Sequence, residues 1–193
     1  MKCHWLFVMG AVCGAGAVKL PRVAAHLHAI TEHALHANGP RSVAGRVHTE
    51  TRFAFTAHAP LEQVAPLFGA DKERAWSPGW DPQFVYPLPA ADVGGMVFTV
   101  PHNHLNSVWV NTEFDAKNGR VQYVYVIPEA LVTVITLRLK GEGNETRVEV
   151  EYDRTALSAN GDAHVQHLAK QDQKAGADWE SQINGYLKTH PFS

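Results

Sequence analysis

Residues 146–187, TRVEVEYDRTALSANGDAHVQHLAKQDQKAGADWESQINGYL, decide the fold of this chain. The stretch begins with strict alternation of polar and apolar residues, which is typical of a strand with one buried face. Residues 155–158 then form a turn, where Ser158 is expected to cap the following helix or to shape the turn. Beyond the turn, apolar residues recur at steps of three and four. This spacing predicts one long amphipathic helix with an apolar face made of Val165, Leu168, Ala175, Trp179, Ile183 and Tyr186.

Two charged residues interrupt these apolar faces. Asp172 lies on the apolar stripe of the helix, and Arg154 ends the inner face of the preceding strand, after Tyr152. A charge facing a sheet is costly to bury unless something pairs with it. We therefore expect Asp172 to point into the interior and to be hydrogen-bonded there, with Arg154 or His102 as its partner. The alternative is that rotation of the helix brings Asp172 to the rim, where water satisfies it.

The residues upstream predict the rest of a sheet. Residues 46–58 alternate cleanly, and residues 61–69 predict a short helix that Pro66 splits into two turns. Residues 75–89 are rich in turn signals and end in a short edge strand at 84–88. Further strands are expected at 95–102, 107–114, 120–127, 132–140 and 146–155. The sequence therefore predicts an α+β fold, in which a curved antiparallel sheet of about six or seven strands wraps around a long C-terminal helix.

Composition excludes several classes of function. The formal net charge is −2 and no dense run of Lys and Arg occurs, which argues against nucleic acid as the main partner. Both cysteines, Cys3 and Cys13, precede the predicted sheet, so no zinc or redox spacing exists in the folded part. His102 with His104 and His164 with His167 are the histidine pairs nearest to a metal pattern. Because His164 and His167 lie beside the apolar stripe and not on it, no metal and no other cofactor is predicted.

The N-terminus has the layout of a secretory leader. Residues 1–17 combine Lys2, an apolar run at 5–13 and small residues at 15–17, which predicts a signal peptide and a periplasmic or secreted protein. The run is shorter than the roughly 20 residues that a membrane span needs. The alternative is a cytoplasmic protein with an over-extended N-terminus. Residues 18–42 are predicted to form an Ala/His-rich linker or short helix, and residues 43–190 are predicted to form the folded domain.

Several short motifs resemble one superfamily. Residues 53–60 (FAFTAHAP), 76–82 (WSPGWDP), 95–98 (GMVF) and 154–158 (RTALS), with the helix that bears Trp179, are similar to the SRPBCC superfamily. This group includes START-like lipid carriers, polyketide cyclases and birch-pollen allergen relatives. The resemblance covers about residues 43–187 and implies a helix-grip fold with a hydrophobic cavity between sheet and helix. It implies no single activity, because the fold serves several, and no residue set here matches a polyketide aromatase.

The predicted function is binding of a small hydrophobic ligand by a monomer or weak dimer. Pockets of this kind are mostly apolar and aromatic with a few polar anchors. The expected aromatic lining is Trp76, Trp80, Tyr86, Phe98, Trp109, Tyr123, Tyr125 and Tyr152, and the expected anchors are His102, Arg154 and Asp172. One alternative is an enzyme of the polyketide cyclase or dehydrase type, with His102 or Asp172 as acid or base. Another is a structural or stress protein whose cavity is incidental.

Overall fold

The described part of the chain forms one seven-stranded antiparallel sheet that is crossed by one long helix. This computed structural model describes residues 45–102 and 105–190, and only the backbone at His102 and Leu105. The strands run in the order β1-β7-β6-β5-β4-β3-β2. Their bounds are β1 His48–Ala57, β2 Gln83–Tyr86, β3 Val97–His102, β4 Leu105–Asp115, β5 Arg120–Ile127, β6 Leu131–Glu142 and β7 Glu145–Ala156. The helices are α1, Leu61–Val64, and α2, Ala159–Thr189. The predicted fold class is confirmed.

The strands occupy the predicted stretches, with small differences at their ends. β5 has the predicted bounds. β6 and β7 are longer than predicted because the turn between them consists only of Gly143 and Asn144. Gly143 has a φ of 71°, a conformation that glycine adopts without strain and that permits so tight a turn. The long β6–β7 hairpin lies between the edge strand β1 and the central strand β5.

The segment between β1 and β2 packs over one end of the sheet. α1 gives way at Ala65 to a 3₁₀ turn over Ala65–Phe68 because Pro66 cannot continue the α-helical hydrogen bonding. A second 3₁₀ turn, Lys72–Ala75, follows. The indole Nε1–H of Trp76 donates to the carbonyl oxygen of Leu67 at 2.7 Å, which ties the two turns together. The predicted split of residues 61–69 into two turns is confirmed by α1 and the first 3₁₀ turn.

The start of α2 is held by several contacts. Ser158 is the N-cap, and its hydroxyl accepts from the Gly161 amide at 3.2 Å. Asp162 in the first turn binds Arg46 at 2.8 Å and accepts from the Val47 amide at 2.9 Å. A Cβ at position 161 would overlap the carbonyl of Ala130, so glycine lets the helix approach the β5–β6 turn closely. These contacts fix the rotation of α2 over the sheet.

The predicted apolar face of α2 is turned to the sheet. Val165, Leu168, Trp179 and Ile183 are buried there together with Asp172, whereas Ala175 and Tyr186 are only partly buried. No helix among the described residues is long and apolar enough to cross a bilayer. The interior between sheet and helix is therefore where the predicted site residues must be sought.

Candidate functional site

The interior contains two groups of aromatic side chains. In the Trp179 cluster, the indole of α2 lies 5.5 Å from the ring of Trp76 and near four further rings, those of Phe53, Phe55, Phe68 and Tyr152. In the Trp109 cluster, the indole of β4 stacks on Tyr125 at 4.4 Å and contacts Trp80, Phe98 and Tyr123. Aromatic rings in edge and stacked contact supply large apolar surfaces for packing or for a ligand. Seven of the predicted aromatic residues therefore belong to these two clusters: Trp76, Trp80, Phe98, Trp109, Tyr123, Tyr125 and Tyr152.

Arg154 and Asp172 form a buried ion pair. Both guanidinium Nη atoms donate to the carboxylate, with Nη2 at 3.2 Å from Oδ1. The two residues are only 3% and 6% exposed. The guanidinium also lies over the Tyr152 ring, 4.1 Å from its centre. The predicted pairing of Asp172 with Arg154 is confirmed, and the alternative of a solvated Asp172 at the rim is wrong.

Burial and pairing act in opposite directions on this ion pair. Burial raises the pKa of Asp172, while Arg154 and the Thr51 hydroxyl lower it, and the net direction is upward. For Arg154, burial lowers the pKa but Tyr125, Asp172 and Tyr152 outweigh it, so the pKa of the guanidinium is raised. The arrangement holds a permanent cation against the concave face of the sheet. It also leaves Asp172 engaged, which suits an anchor better than a base.

Two neighbouring rows of side chains cross the concave face, and both are unusually polar. Strand pairing aligns one row as Thr49, Arg154, Thr133, Tyr125, Trp109 and Phe98. It aligns the adjacent row as Thr51, Tyr152, Ile135, Tyr123 and Asn111. Because inward side chains of paired residues lie side by side, their polar atoms form a belt among the apolar residues of the sheet. We call these two sets the polar rows.

Several buried atoms of the polar rows have no hydrogen-bond partner among the described residues. They are Thr49 Oγ1, Asn111 Oδ1, Tyr123 Oη, Thr133 Oγ1 and Arg154 Nε. Buried polar atoms in native proteins are nearly always hydrogen-bonded, and an unpaired one costs free energy. A concentration of such atoms on two adjacent rows is therefore a specific feature. It favours a place where polar groups from outside the chain are bound.

A pair of carboxyl groups that the sequence analysis missed lies beside the polar rows. Asp92, in the segment before β3, accepts from the Ala70 amide at 2.8 Å. Glu73 donates its own amide to the carbonyl of neighbouring Gly69 at 2.9 Å. Burial, and then repulsion from Asp92, raise the pKa of Glu73 to about 8. Burial also raises the pKa of Asp92, against the lowering effect of the Ala70 amide.

The remaining predicted residues have mixed outcomes. Tyr86 points to solvent with 64% of its surface exposed, so its predicted place in the lining is wrong. The pairing of β2 with β3 shifts register between Phe84 and Tyr86, and this bulge turns Tyr86 outward. His102 ends β3, but its side chain and His104 lie outside the described residues, as do the predicted leader 1–17 and linker 18–42. Ligand contact by any of the ten site residues stays a prediction.

The histidine pair on α2 divides between solvent and interior. His167 is exposed, as expected, whereas His164 is partly buried. Burial, then His167 and Arg154, lower the pKa of His164. His164 is therefore a neutral neighbour of the ion pair and adds no second cation to the interior.

The outer face of the sheet has a different character. A groove of about 630 Å³ there is lined mainly by Arg138, Lys140, Glu142, Arg147 and Glu149. His48, Glu50 and Asp153 also form an exposed group of potential ligand atoms on this face, but Arg52 and Thr155 already contact two of them. Mixed surface charges of this kind are common, and the concave face remains the candidate site.

Comparisons with known proteins confirm the fold. No protein-family model matches the chain, and no curated protein matches its sequence. Solved structures do match. Norcoclaurine synthase from Thalictrum flavum has a TM-score of 0.57 at 10% identity, with 77% of this chain and 91% of that chain covered. Ara h 8.0201 has a TM-score of 0.56 at 15% identity, with 74% and 99% covered.

A third structure comes from a biosynthetic locus. DynU16, from the dynemicin biosynthetic locus, has a TM-score of 0.50 at 14% identity, with 73% of this chain and 48% of that chain covered. All three are helix-grip folds of the SRPBCC and Bet v 1-like type. This protein therefore has the helix-grip fold, and the resemblance to the SRPBCC superfamily is confirmed at the level of fold. At such low identity the likeness carries no assignment of activity.

Proposed function

We propose that this domain binds a small, largely apolar aromatic molecule between the concave face of the sheet and α2. The observation that carries the proposal is the set of unpartnered polar atoms on the polar rows, which lie among two clusters of aromatic rings. Ligand sites combine an apolar, aromatic lining with a few placed polar groups, and this face has both. The similar norcoclaurine synthase structure, a complex with dopamine and hydroxybenzaldehyde, supports an aromatic ligand class.

Binding is tested with a neutral fluorescent probe, N-phenyl-1-naphthylamine, and two matched variants. Thr133 and Thr136 lie on the same strand but on opposite faces, Thr133 being fully buried and Thr136 only partly. Thr133→Phe fills the concave face, and Thr136→Phe adds the same ring outside. We expect saturable fluorescence enhancement with the natural protein and with Thr136→Phe, and its loss in Thr133→Phe. Equal binding by all three, with circular dichroism confirming folded variants, would place the probe elsewhere and contradict the proposal.

An acid–base enzyme is the second candidate, and the structure favours a different residue for it. Asp172 is held by both Nη atoms of Arg154, so it is poorly placed to take up a proton from a substrate. Glu73 has a pKa raised to about 8, which lies near the pH at which a general acid or base is most effective. An enzyme of the cyclase or dehydrase type would therefore use Glu73. Native mass spectrometry of protein from its own cells distinguishes a stored ligand from converted product.

A further inference from the structure

We propose that Glu73 and Tyr123 form a pair of O–H donors that bind a carbonyl oxygen, so that the preferred ligand is an aromatic ketone or aldehyde. The inference rests on the proposed function, because it names the chemical class of the molecule bound in the same interior. It goes further by assigning two residues to one atom of that molecule. Neither residue is predicted by the sequence to act in this way.

The backbone directs Glu73 inward. The Trp76 amide donates to the Glu73 carbonyl at 3.2 Å, and this bond between residues three apart places Glu73 and Trp76 on the same side of the turn. Trp76 is only 4% exposed and packs on Trp179 in the interior. The amide of Ser77 donates to the Glu73 carbonyl at 2.9 Å, which holds the turn closed. The carboxyl group of Glu73 therefore extends toward the concave face, where its charge acts on the phenols of Tyr123 and Tyr152.

Tyr123 supplies the second donor. Its ring leans on Trp109 at 6.2 Å, and only 5% of the residue is exposed. Its hydroxyl is buried and has no hydrogen-bond partner among the described residues. Burial, then the charges of Glu73 and Asp92, raise the pKa of this phenol well above its ordinary value. The phenol thus keeps its proton, and its hydrogen bond is unused.

Glu73 is also a donor at neutral pH. No hydrogen bond to its carboxyl group is found among the described residues, and its pKa of about 8 keeps it mainly protonated at pH 7. Two O–H donors that have no hydrogen-bond partner among the described residues match in number the two lone pairs of one carbonyl oxygen. A protonated carboxyl group beside a tyrosine is a known way to bind carbonyl or enolate oxygen in an apolar site.

The charges around Glu73 determine how this pair responds to pH. Asp92 faces Glu73 from the segment before β3, and the phenols of Tyr123 and Tyr152 face it from β5 and β7. On its own segment, Asp71 and Lys72 are exposed and act on Asp92. No cation contributes to the shift of Glu73, so loss of its proton leaves a half-buried anion beside a second carboxyl group. Carbonyl binding should therefore weaken as the pH rises through about 8.

The proposal is tested with three naphthalenes of nearly equal shape. 2-Acetylnaphthalene carries the carbonyl group, 2-ethylnaphthalene replaces it with CH₂, and 1-(2-naphthyl)ethylamine replaces it with a cationic amine. With two hydrogen bonds gained, the natural protein should bind the ketone roughly tenfold to thirtyfold more tightly than the hydrocarbon at neutral pH. The infrared carbonyl stretch of ¹³C-labelled ketone should move to lower frequency on binding, a change that a merely structural role would not produce.

Variants separate the two donors. Tyr123→Phe should lower ketone affinity several-fold while hydrocarbon affinity is unchanged, and should reverse part of the infrared shift. Glu73→Gln keeps an N–H donor without an ionisable proton, so its ketone preference should not fall at high pH as that of the natural protein does. Glu73→Met, similar in size but without a donor, should keep only the smaller preference that Tyr123 supplies, at every pH.

Three results would overturn the inference. Equal affinity for ketone and hydrocarbon would contradict the donor pair while leaving apolar ligand binding intact. Tightest binding of the amine would show that Glu73 acts as an anion for a cationic ligand. A ketone preference that is undiminished in both Tyr123→Phe and Glu73→Met would place the carbonyl elsewhere. Failure of all three naphthalenes to bind would instead contradict the proposed function itself.

Discussion

Removal of Asp172 tests the interior most directly. Asp172→Ala leaves the Arg154 guanidinium, only 3% exposed, without its counter-charge and without two hydrogen bonds. Breaking a buried ion pair on one side costs about 3–5 kcal/mol, because the remaining charge is desolvated and unpaired. For a chain of this size that corresponds to a fall in Tm of roughly 6–20 °C. Urea unfolding followed by circular dichroism measures the change in the free energy of unfolding.

A double variant separates the cost of a stranded charge from the value of the pair. Arg154→Met with Asp172→Leu removes both charges and fills similar volume, so much of the lost stability should return. Recovery should be incomplete, because the contact of the guanidinium with the Tyr152 ring at 4.1 Å is also lost. The matched control is Arg52→Met, which breaks the 2.7 Å pair with Glu151 at a residue that is 67% exposed. That control should cost far less than Asp172→Ala, because water and salt screen an exposed ion pair.

Two outcomes would refute this reasoning. A double variant no more stable than Asp172→Ala would show that the loss does not come from an unpaired charge. An Asp172→Ala cost no larger than that of Arg52→Met would show that water reaches the pair. Either result would also weaken the assignment of Arg154 as a fixed cation on the polar rows.

Three further predictions concern the rows, the missed carboxyl group and the leader. Thr133→Val should raise the free energy of unfolding by about 1 kcal/mol, because it removes a hydroxyl that has no partner among the described residues. Thr146→Val should lower the free energy of unfolding, because it removes the 2.8 Å hydrogen bond to the Ala59 carbonyl. Denaturant midpoints that fall equally in both variants would contradict this prediction. Glu73 has a pKa of 4.5 ordinarily and about 8 when folded, so the folded state holds this proton more tightly than the unfolded state. The stability that follows from this difference is complete below pH 4.5 and is lost as the pH rises from 4.5 through 8. Glu73→Gln should therefore lose less stability than the natural protein over that range, and parallel Tm profiles would count against the raised pKa. If residues 1–17 are a signal peptide, N-terminal sequencing of the exported protein should find a start near Val18 and no cysteine, and an intact Met1 in that fraction would disprove it.

Short-range periodicity was sufficient to predict the ion pair. In β7 the side chains alternate, so the inward position of Arg154 follows from those of Val150 and Tyr152. In α2 the three- and four-residue spacing places Asp172 with Val165 and Trp179. Each charge departs from an apolar pattern that its own neighbours define. Both charges could therefore be placed in the interior without knowing how the sheet is assembled, whereas the structure decided for Arg154 over His102 as the partner of Asp172.

Tyr86 and Glu73 show where such patterns fail. Tyr86 is predicted to line the pocket, but the register shift between Phe84 and Tyr86 turns it to solvent. Glu73 lies in a turn-rich segment without a repeating pattern, so nothing in the sequence indicates its direction. The direction follows from the 3₁₀ turn and from the packing of Trp76 against Trp179, more than 100 positions along the chain.

The sequence by itself determined the main elements, the inward and outward faces of the long strands and of α2, and the inward position of the two charges. Those features depend on the local period of a strand or a helix, which neighbouring residues express. Only the tertiary structure decided which residues stand side by side across the sheet. Tyr123 meets Asn111, and Thr133 meets Tyr125 and Arg154, through a register that successive strand pairings set together. Because that register depends on distant segments, the polar rows and the carboxyl group beside them appear only when the chain is folded.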